Sequence, residues 1–130
     1  MAVEFEIVMP WPNAALSPNG RRHFQYVAKL KKAARLQAFA LAREAGAHRL
    51  PFPKDERLMV WIVGYAPDRR RRDADNLLAS MKGALDGLAD ALGIDDRRFV
   101  PSIYIADEVR KPACVRVVIT EFQPPGDATL

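Results

Sequence analysis

Four consecutive arginines and a pair of aspartates fall in one short run, DRRRRDADN, at positions 68 to 76. Asp73 and Asp75 are two residues apart and directly follow Arg72. Carboxylates at this spacing can hold a divalent metal ion such as Mg²⁺, and guanidinium groups can hold phosphate oxygens. These are the groups needed to cut a phosphodiester backbone with a metal-activated water. The run therefore indicates a site as well as a fold.

The two aspartates have two interpretations. On an extended segment, residues i and i+2 face the same side, so Asp73 and Asp75 would converge on one ion. Alternatively, one of them caps a helix that begins near Asn76 and the other is solvated. The arginines could likewise be a solvated surface stretch. A cluster of like charges is costly unless an oppositely charged ligand lies beside it, which favours a binding site.

A second acidic pair, Asp95 and Asp96, follows the helix predicted over residues 76 to 92. At ~1.5 Å per residue the ends of that helix would be on the order of 25 Å apart, so Asp75 and Asp95 of one chain could not share an ion. One site containing all these acids would need a second copy of the chain, with two such helices antiparallel about a twofold axis. The alternative is that Asp95 and Asp96 are turn residues paired with the arginines that follow them.

Hydrophobic periodicity predicts the elements that position these residues. Alternation predicts a strand over residues 3 to 9, and an apolar run predicts an interior strand over residues 58 to 65. Helical spacing predicts helices over residues 24 to 45 and 76 to 92, ended by Gly46 and Gly93. Apolar runs at 99 to 109 and 113 to 122 flank Arg110-Lys111-Pro112 and predict an antiparallel hairpin. The order β-α-β-α-β-β predicts an α+β fold, a mixed sheet with two helices packed on it.

Composition limits the classes of protein that need to be considered. At 130 residues and 49% hydrophobic content, we expect one domain over residues 1 to 122 and a flexible tail over 123 to 130. The net charge of +4 is weak support for a polyanionic partner. Cys114 is the only cysteine, so an internal disulfide is excluded. With no export signal and no membrane-spanning stretch, we expect a reduced, cytoplasmic setting and no membrane partner.

These motifs, in this order, resemble the RusA family of Holliday junction resolvases, which is common in phages and prophages. The resemblance is carried by APDRRRRDADNL at positions 66 to 77 and by GIDD at positions 93 to 96, with a helix between them. PWP at positions 10 to 12 and VVITE at positions 117 to 121 also match, so the similarity covers most of the chain.

The resemblance implies a homodimeric endodeoxyribonuclease of DNA recombination and repair that resolves four-way junctions by paired, symmetric incisions. Its cofactor would be Mg²⁺, with Mn²⁺ as a substitute, and its setting a bacterial host cell. Asp73 and Asp75 match the metal-binding pair of the family and Asp96 its third essential acid, with Asp95 as a neighbouring metal ligand. A junction-binding protein with weak or no nuclease activity is the alternative function.

One departure from the family pattern concerns a catalytic lysine. The pattern places it four residues after the second aspartate, where this chain has Ala79. Lys82 lies about one helical turn further on and is a candidate catalytic replacement, because a long side chain could close part of the gap. Alternatively, Lys82 is a solvated helix lysine.

Trp11 and Trp61 are interpreted as structural rather than base-stacking, since one lies beside a strand end and the other within a predicted buried strand.

The DNA-binding candidates are basic and amide side chains outside the acidic set. The arginine run should hold flanking phosphates, a loop before the first helix could approach DNA, and the basic face of that helix could track a junction arm. The candidates are Arg69, Arg70, Arg71 and Arg72 in the run, Asn19, Arg21 and Arg22 in the loop, and Lys29, Lys32 and Arg35 on the helix.

Overall fold

The computed structural model of this protein describes residues 3–20 and 23–123. In this part of the chain, helices lie against one face of a four-stranded mixed sheet, so the predicted α+β class and mixed sheet are confirmed. The strands are β1 (Glu4–Pro10), β2 (Leu58–Tyr65), β3 (Phe99–Ile105) and β4 (Cys114–Glu121). The helices are α1 (Phe24–Glu44), α2 (Ala74–Ser80) and α3 (Lys82–Leu92), with 3₁₀ turns at Ala14–Leu16, Ala47–Arg49 and Asp96–Arg98. The tail predicted at the C-terminus lies outside the described residues beyond position 123.

Strand β4 lies in the middle of the sheet, whose order is β1-β4-β2-β3. It is antiparallel to both β1 and β2, whereas β2 and β3 are parallel. The predicted hairpin of β3 and β4 is therefore wrong, because β2 separates the two strands. Residues 106 to 113 instead cross the end of β2, where the N–H of Ala106 donates to the carbonyl of Gly64 at 2.8 Å and that of Arg110 to Ala66 at 3.0 Å.

Burial and proline content explain why β4, and not β3, is central. Val115, Val117 and Ile119 of β4 are fully buried, at 0% exposure, and need neighbours on both sides. Pro101 in β3 has no N–H to donate to a ladder, which confines its strand to an edge. These features fit β3 at an edge and β4 in the centre, and the crossing of residues 106 to 113 over the end of β2 keeps the two strands apart.

Only one face of the sheet is covered by helices. In β1 the buried residues Phe5, Ile7 and Met9 alternate with exposed ones, and β2 alternates in the same way. The prediction that β2 is an interior strand is confirmed for its place in the sheet, but not for both of its faces. Trp61 points to the open face with 45% exposure, so its interpretation as a buried side chain is wrong.

The long helix predicted over residues 76 to 92 begins earlier and is divided. It starts at Ala74, and α2 passes into α3 at Met81, whose backbone torsions are φ −89° and ψ −1°. The N–H of Met81 is shared between the carbonyls of Leu77, at 3.1 Å, and Leu78, at 3.0 Å, so the helix tightens locally into a 3₁₀-type turn. The two predicted helices are therefore three in the described chain. The predicted stops are confirmed, because Gly46 and Gly93 adopt positive φ angles of 84° and 70°.

Two glycines allow α3 to lie very close to α1. A Cβ atom at Gly83 would be 2.7 Å from the carbonyl oxygen of Lys31, and one at Gly87 would be 2.2 Å from that of Arg35. Both neighbours are backbone atoms, which cannot move without shifting the helix. Gly83 and Gly87 are four residues apart and so lie on one face of α3, which packs directly on the α1 backbone.

No helix among residues 3–20 and 23–123 has the length and apolar character required to cross a bilayer.

We predict that Gly87→Ala destabilises the protein by about 1 to 3 kcal/mol, because the added methyl group forces α1 and α3 apart. Helix propensity alone predicts the opposite sign, since alanine is favoured over glycine inside a helix by about 1 kcal/mol. Urea unfolding followed by circular dichroism measures the difference. Leu36→Ala, at an exposed position of α1, is the control and should change stability by no more than about 0.5 kcal/mol. A Gly87→Ala protein as stable as the native one would contradict the close packing.

Candidate functional site

The arginine run lies in the loop between β2 and α2, and Arg72 holds that loop together. Its Nη1 donates to the backbone carbonyls of Asp68, at 3.0 Å, and Arg70, at 2.9 Å, and pairs with Asp68 Oδ1 at 2.9 Å. The guanidinium also lies over the Trp11 ring, 5.6 Å from its centroid, and the side chain is only 20% exposed. Arg72 is thus an internal anchor rather than a free phosphate-binding group.

The ion pair with Arg72 lowers the pKa of Asp68 to about 2, and the backbone N–H of Arg70 adds to the effect. Arg70 itself is exposed and pairs with Asp68 at 3.3 Å. Arg69 and Arg71 are also exposed and, among the residues that the structure describes, form no ion pair. Arg69 and Arg71 are therefore the arginines of the run best placed to take a phosphate.

Asp73 and Asp75 lie at the start of α2. Asp73 is the N-cap residue, since its Oδ1 accepts a hydrogen bond from the N–H of Asp75 at 2.8 Å. The interpretation that one aspartate caps the helix is correct for Asp73, and the extended geometry proposed for both is wrong because Asp75 lies in the first helical turn. Both side chains are exposed. Within the described chain, Asp73 Oδ2 and both oxygens of Asp75 accept no hydrogen bond, so they are available to a ligand.

Asp95 and Asp96 have different neighbours. Asp95 caps the 3₁₀ turn and receives the Arg97 guanidinium on both oxygens, which lowers its pKa to about 2. This agrees with the interpretation of Asp95 as a turn residue. Asp96 is bound instead by the ammonium group of Lys82, which also contacts Asp86 at 3.0 Å. The pairing lowers the pKa of Asp96 and raises that of Lys82.

Asp96 lies alongside α3 rather than beyond its C-terminal end. Gly93 turns the chain back, so that Asp96 reaches Lys82 at the beginning of α3. Lys82 is seven residues beyond Asp75, on the order of 10 Å along a helix axis. The rise along the helix from Asp75 to the lysine that binds Asp96 exceeds the ~2.1 Å reach of a magnesium ligand several times. Within residues 3–20 and 23–123, no three His, Cys, Asp or Glu side chains are grouped so as to hold a metal ion.

A cleft of about 580 Å³ opens beside the arginine run and the first aspartate. We call it the site cleft. Its charged lining residues are Arg71, Arg72 and Asp73, and its walls come from three separate segments of the chain. The lining residues that the charge pattern did not indicate are Trp11, Pro12, Asn13, Ala14, Ser17, Asn76, Leu77, Ser80 and Ile105. The motif Pro10-Trp11-Pro12 was the one sequence signal that could have included the first strand end in the site.

Gly64 allows the floor of this cleft to form. A Cβ atom on Gly64 would be 2.6 Å from Leu77 Cδ2 and 3.1 Å from Trp11 Cζ3. The absence of a side chain therefore lets the Trp11 ring and the first turns of α2 pack directly on the end of β2. Trp11 contributes to the structure, as predicted, and it also lines the site cleft.

The remaining DNA-binding candidates are only partly available. Lys29 and Lys32 are exposed on α1, and Asn19 is exposed in the turn that precedes it. Arg35 is paired in bidentate fashion with Asp90 of α3, at 2.6 and 2.9 Å, so it links the two helices. The candidates Arg21 and Arg22 lie outside the described residues.

The fold and the site together define an α+β protein with a charged cleft at the end of its second strand. No family model matches the sequence. A protein of Xylella fastidiosa with the name "Uncharacterized protein" is 48% identical over 114 residues, which are 88% of this chain and 74% of that protein. With that identity and coverage, the chain belongs to the same family as the Xylella protein.

We predict that the Arg72 anchor is lost in acid between pH about 4 and about 2. The pKa of Asp68 is lower in the folded protein, about 2, than its ordinary value of 3.8, so folding favours the ionised carboxylate. The stabilisation is therefore complete above pH about 4 and disappears as the pH falls through the folded-state value. A Trp61→Phe protein leaves Trp11 as the single tryptophan, and its fluorescence should change in this window as the guanidinium leaves the ring.

The control for this titration is the same protein carrying Asp68→Asn. Its amide cannot ionise, so the Trp11 signal should show no transition in the same pH window. Far-UV circular dichroism separates a local change from acid unfolding of the whole chain. An identical transition with and without Asp68 would contradict the assignment.

Proposed function

We propose that this protein is a Mg²⁺-dependent endodeoxyribonuclease that resolves four-way DNA junctions as a homodimer. One observation carries the proposal. Among the aspartates of positions 66 to 98, Asp68, Asp86, Asp90, Asp95 and Asp96 are all ion-paired, and only Asp73 and Asp75 have no ion pair with a residue that the structure describes. Asp73 lines the same cleft as Arg71, which has no ion pair either within the described chain, and Asp75 is exposed two residues further on in the first turn of α2. Unpaired charges of both signs in one place suit two ligands that bind together, a phosphate at the arginine and a metal ion at the carboxylates.

The donor atoms suit magnesium. Asp73 offers one oxygen that is not used for capping, and Asp75 offers two, so the available ligands are all hard oxygens. When bound there, Mg²⁺ would lower the pKa of an attacking water and stabilise the developing charge on the phosphate. The residues of the chain would hold the phosphates and orient the carboxylates. Arg71 and Arg69 would hold phosphates on either side of the cut, and the Asp73 cap would fix the position of the carboxylate pair.

Asp96 would complete the site from the second subunit. Lys82 contacts Asp96 through Oδ2. The other carboxylate oxygen, Oδ1, accepts no hydrogen bond within the described chain and would bind in the site of the partner. In this arrangement Lys82 is a positioning residue that holds the Asp96 carboxylate. It does not stand in for the lysine that is missing at Ala79, since its ammonium group binds Asp96 and Asp86 instead of the aspartate pair.

The alternative function is junction binding with little or no cleavage. The ion pair of Lys82 with Asp96 favours it, because a fixed ammonium group already neutralises the third acid. The basic residues at the cleft and on α1 would be sufficient for binding alone, which depends on phosphate neutralisation and falls steeply with added salt.

We predict that the protein makes paired, symmetric nicks in a labelled synthetic four-way junction in the presence of Mg²⁺. Asp75→Asn should reduce the nicking rate at least about 100-fold, because it removes a metal ligand worth several kcal/mol in the transition state. The affinity for the junction should stay within a few-fold. Denaturing gels measure the nicks, and gel shifts measure the binding.

Asp55→Asn is the matched control for this experiment. Asp55 is an exposed acid that precedes β2, at the opposite end of the strand from the site cleft. Its loss should leave both nicking and binding unchanged. Junction binding without nicks in the native protein and in Asp75→Asn would favour the alternative function. Equal binding to junction and plain duplex would exclude both functions.

We further predict that a mixed dimer of Asp75→Asn and Asp96→Asn chains nicks one strand of the junction. If the sites are shared, one of the two carries both lesions and the other carries neither. Each variant alone should be inactive, because every site then lacks one carboxylate. A mixed dimer as inactive as its parents, or a monomer in sedimentation at micromolar concentration, would contradict the shared site.

A further inference from the structure

The site cleft adjoins a second, apolar groove of about 400 Å³. The two share the lining residues Trp11, Pro12, Asn13 and Ser80, and together they extend from the arginine loop to the space between α1 and α3. We call the pair the trench. At the outer end are Arg71 and Asp73. The inner end is lined by Met9, Leu16, Leu30, Ala33, Ala34, Gln37, Ala38, Met81 and Ala84. The trench is thus charged at one end and apolar at the other.

Hydrogen-bonding groups lie between the two ends. Asn13 uses Oδ1 to accept from the N–H of Ala15 at 2.9 Å, which leaves its amide group free to donate. Ser80 donates to the carbonyl of Asn76 at 2.8 Å, which leaves its oxygen free to accept. The Asn76 side chain lines the cleft and makes no hydrogen bond within the described chain. The wall therefore offers both donors and acceptors midway along the trench.

We propose that this trench receives one unstacked nucleobase of the DNA, attached to the phosphate held at the Arg71 and Asp73 end. The proposal rests on the proposed function, since it places the base beside the cleavage site. The chemical groups of a nucleotide follow one another in the same order as the groups that line the trench. It carries an anionic phosphate, then a base whose edge both donates and accepts hydrogen bonds, and the flat faces of that base are apolar.

A branch point in DNA is suited to supply such a base. Bringing a base out of a stack costs least where it is already unpaired or weakly stacked, as at the crossing point of a junction. Recognition of the base edge by Asn13 and Asn76 would then give the protein a sequence preference in addition to its preference for branched DNA. The small residues Ala33, Ala34 and Ala84 keep the inner end open for the ring.

The experiment uses Trp11 as the reporter in a Trp61→Phe protein. Its fluorescence is titrated with each of the four deoxynucleoside 5′-monophosphates and with 2-deoxyribose 5-phosphate, which has the same phosphate and no base. The buffer contains Ca²⁺, which takes oxygen ligands as Mg²⁺ does. At least one nucleotide should quench Trp11 saturably and bind about tenfold more tightly than the sugar phosphate.

Two variants test the place of binding. Ala33→Phe fills the inner end from the exposed side of α1 and should abolish the tenfold difference, while Ala40→Phe, exposed two turns further along the helix, should preserve it. Gln37→Phe blocks the same groove if Ala33→Phe fails to fold. Equal affinity for nucleotides and sugar phosphate, or a difference that survives both blocking variants, would overturn the proposal.

This assay needs neither junction binding nor cleavage, so its result is separable from that of the proposed function. Base-dependent quenching in a protein that does not nick junctions would support the trench and exclude the nuclease. Nicking of junctions without base-dependent quenching would support the nuclease and exclude the trench.

Discussion

The site depends on the contacts that the Arg72 guanidinium group makes with the loop after β2 and with Trp11. It closes the loop after β2 by binding two backbone carbonyls and the Asp68 carboxylate, and it packs over Trp11. The next residue, Asp73, is then in position to cap α2. A single side chain thus joins the end of β1, the end of β2 and the start of α2. One of the four arginines is used to build the site, so that its neighbours can face solvent beside the carboxylate pair.

Periodicity predicted the elements that have one buried face. The bounds of α1 agree with the prediction within one residue, because its apolar positions repeat at helical spacing. The bounds of β2 agree completely, but they came from a continuous apolar run, which did not reveal that only one face of the strand is buried. The hairpin was wrong because the connection from β3 to β4 crosses the end of β2 and bonds to the carbonyls of Gly64 and Ala66, which sequence adjacency does not reveal. The site cleft could not be predicted in full, since Trp11, Asn76 and Ile105 come from three distant segments that only the folded sheet brings together.

The contact between α1 and α3 determines where Asp96 lies. Gly83 and Gly87 let α3 rest on the α1 backbone, and Arg35 joins the two helices through Asp90. Gly93 then reverses the chain, and Lys82 binds Asp96 against the flank of α3. These three glycines have no functional side chain, yet they determine the position of Asp96, an acid of the proposed site. A pattern of acids alone could identify Asp96 as a candidate but not the lysine that holds it.

Opposite charges that lie close together in the sequence usually neutralise each other, and in this run only some of them do. Asp68 pairs with Arg72, which is turned back toward the loop, and makes a longer contact with the exposed Arg70. Asp73 is turned toward its own helix by the N–H of Asp75. Arg71 and the carboxylates of Asp73 and Asp75 therefore form no ion pair in the described chain, although they are close in the sequence. Water alone can solvate such groups, but a phosphate bridged by a divalent ion would satisfy both signs at once, and this is the charge argument for the metal-dependent site that we propose.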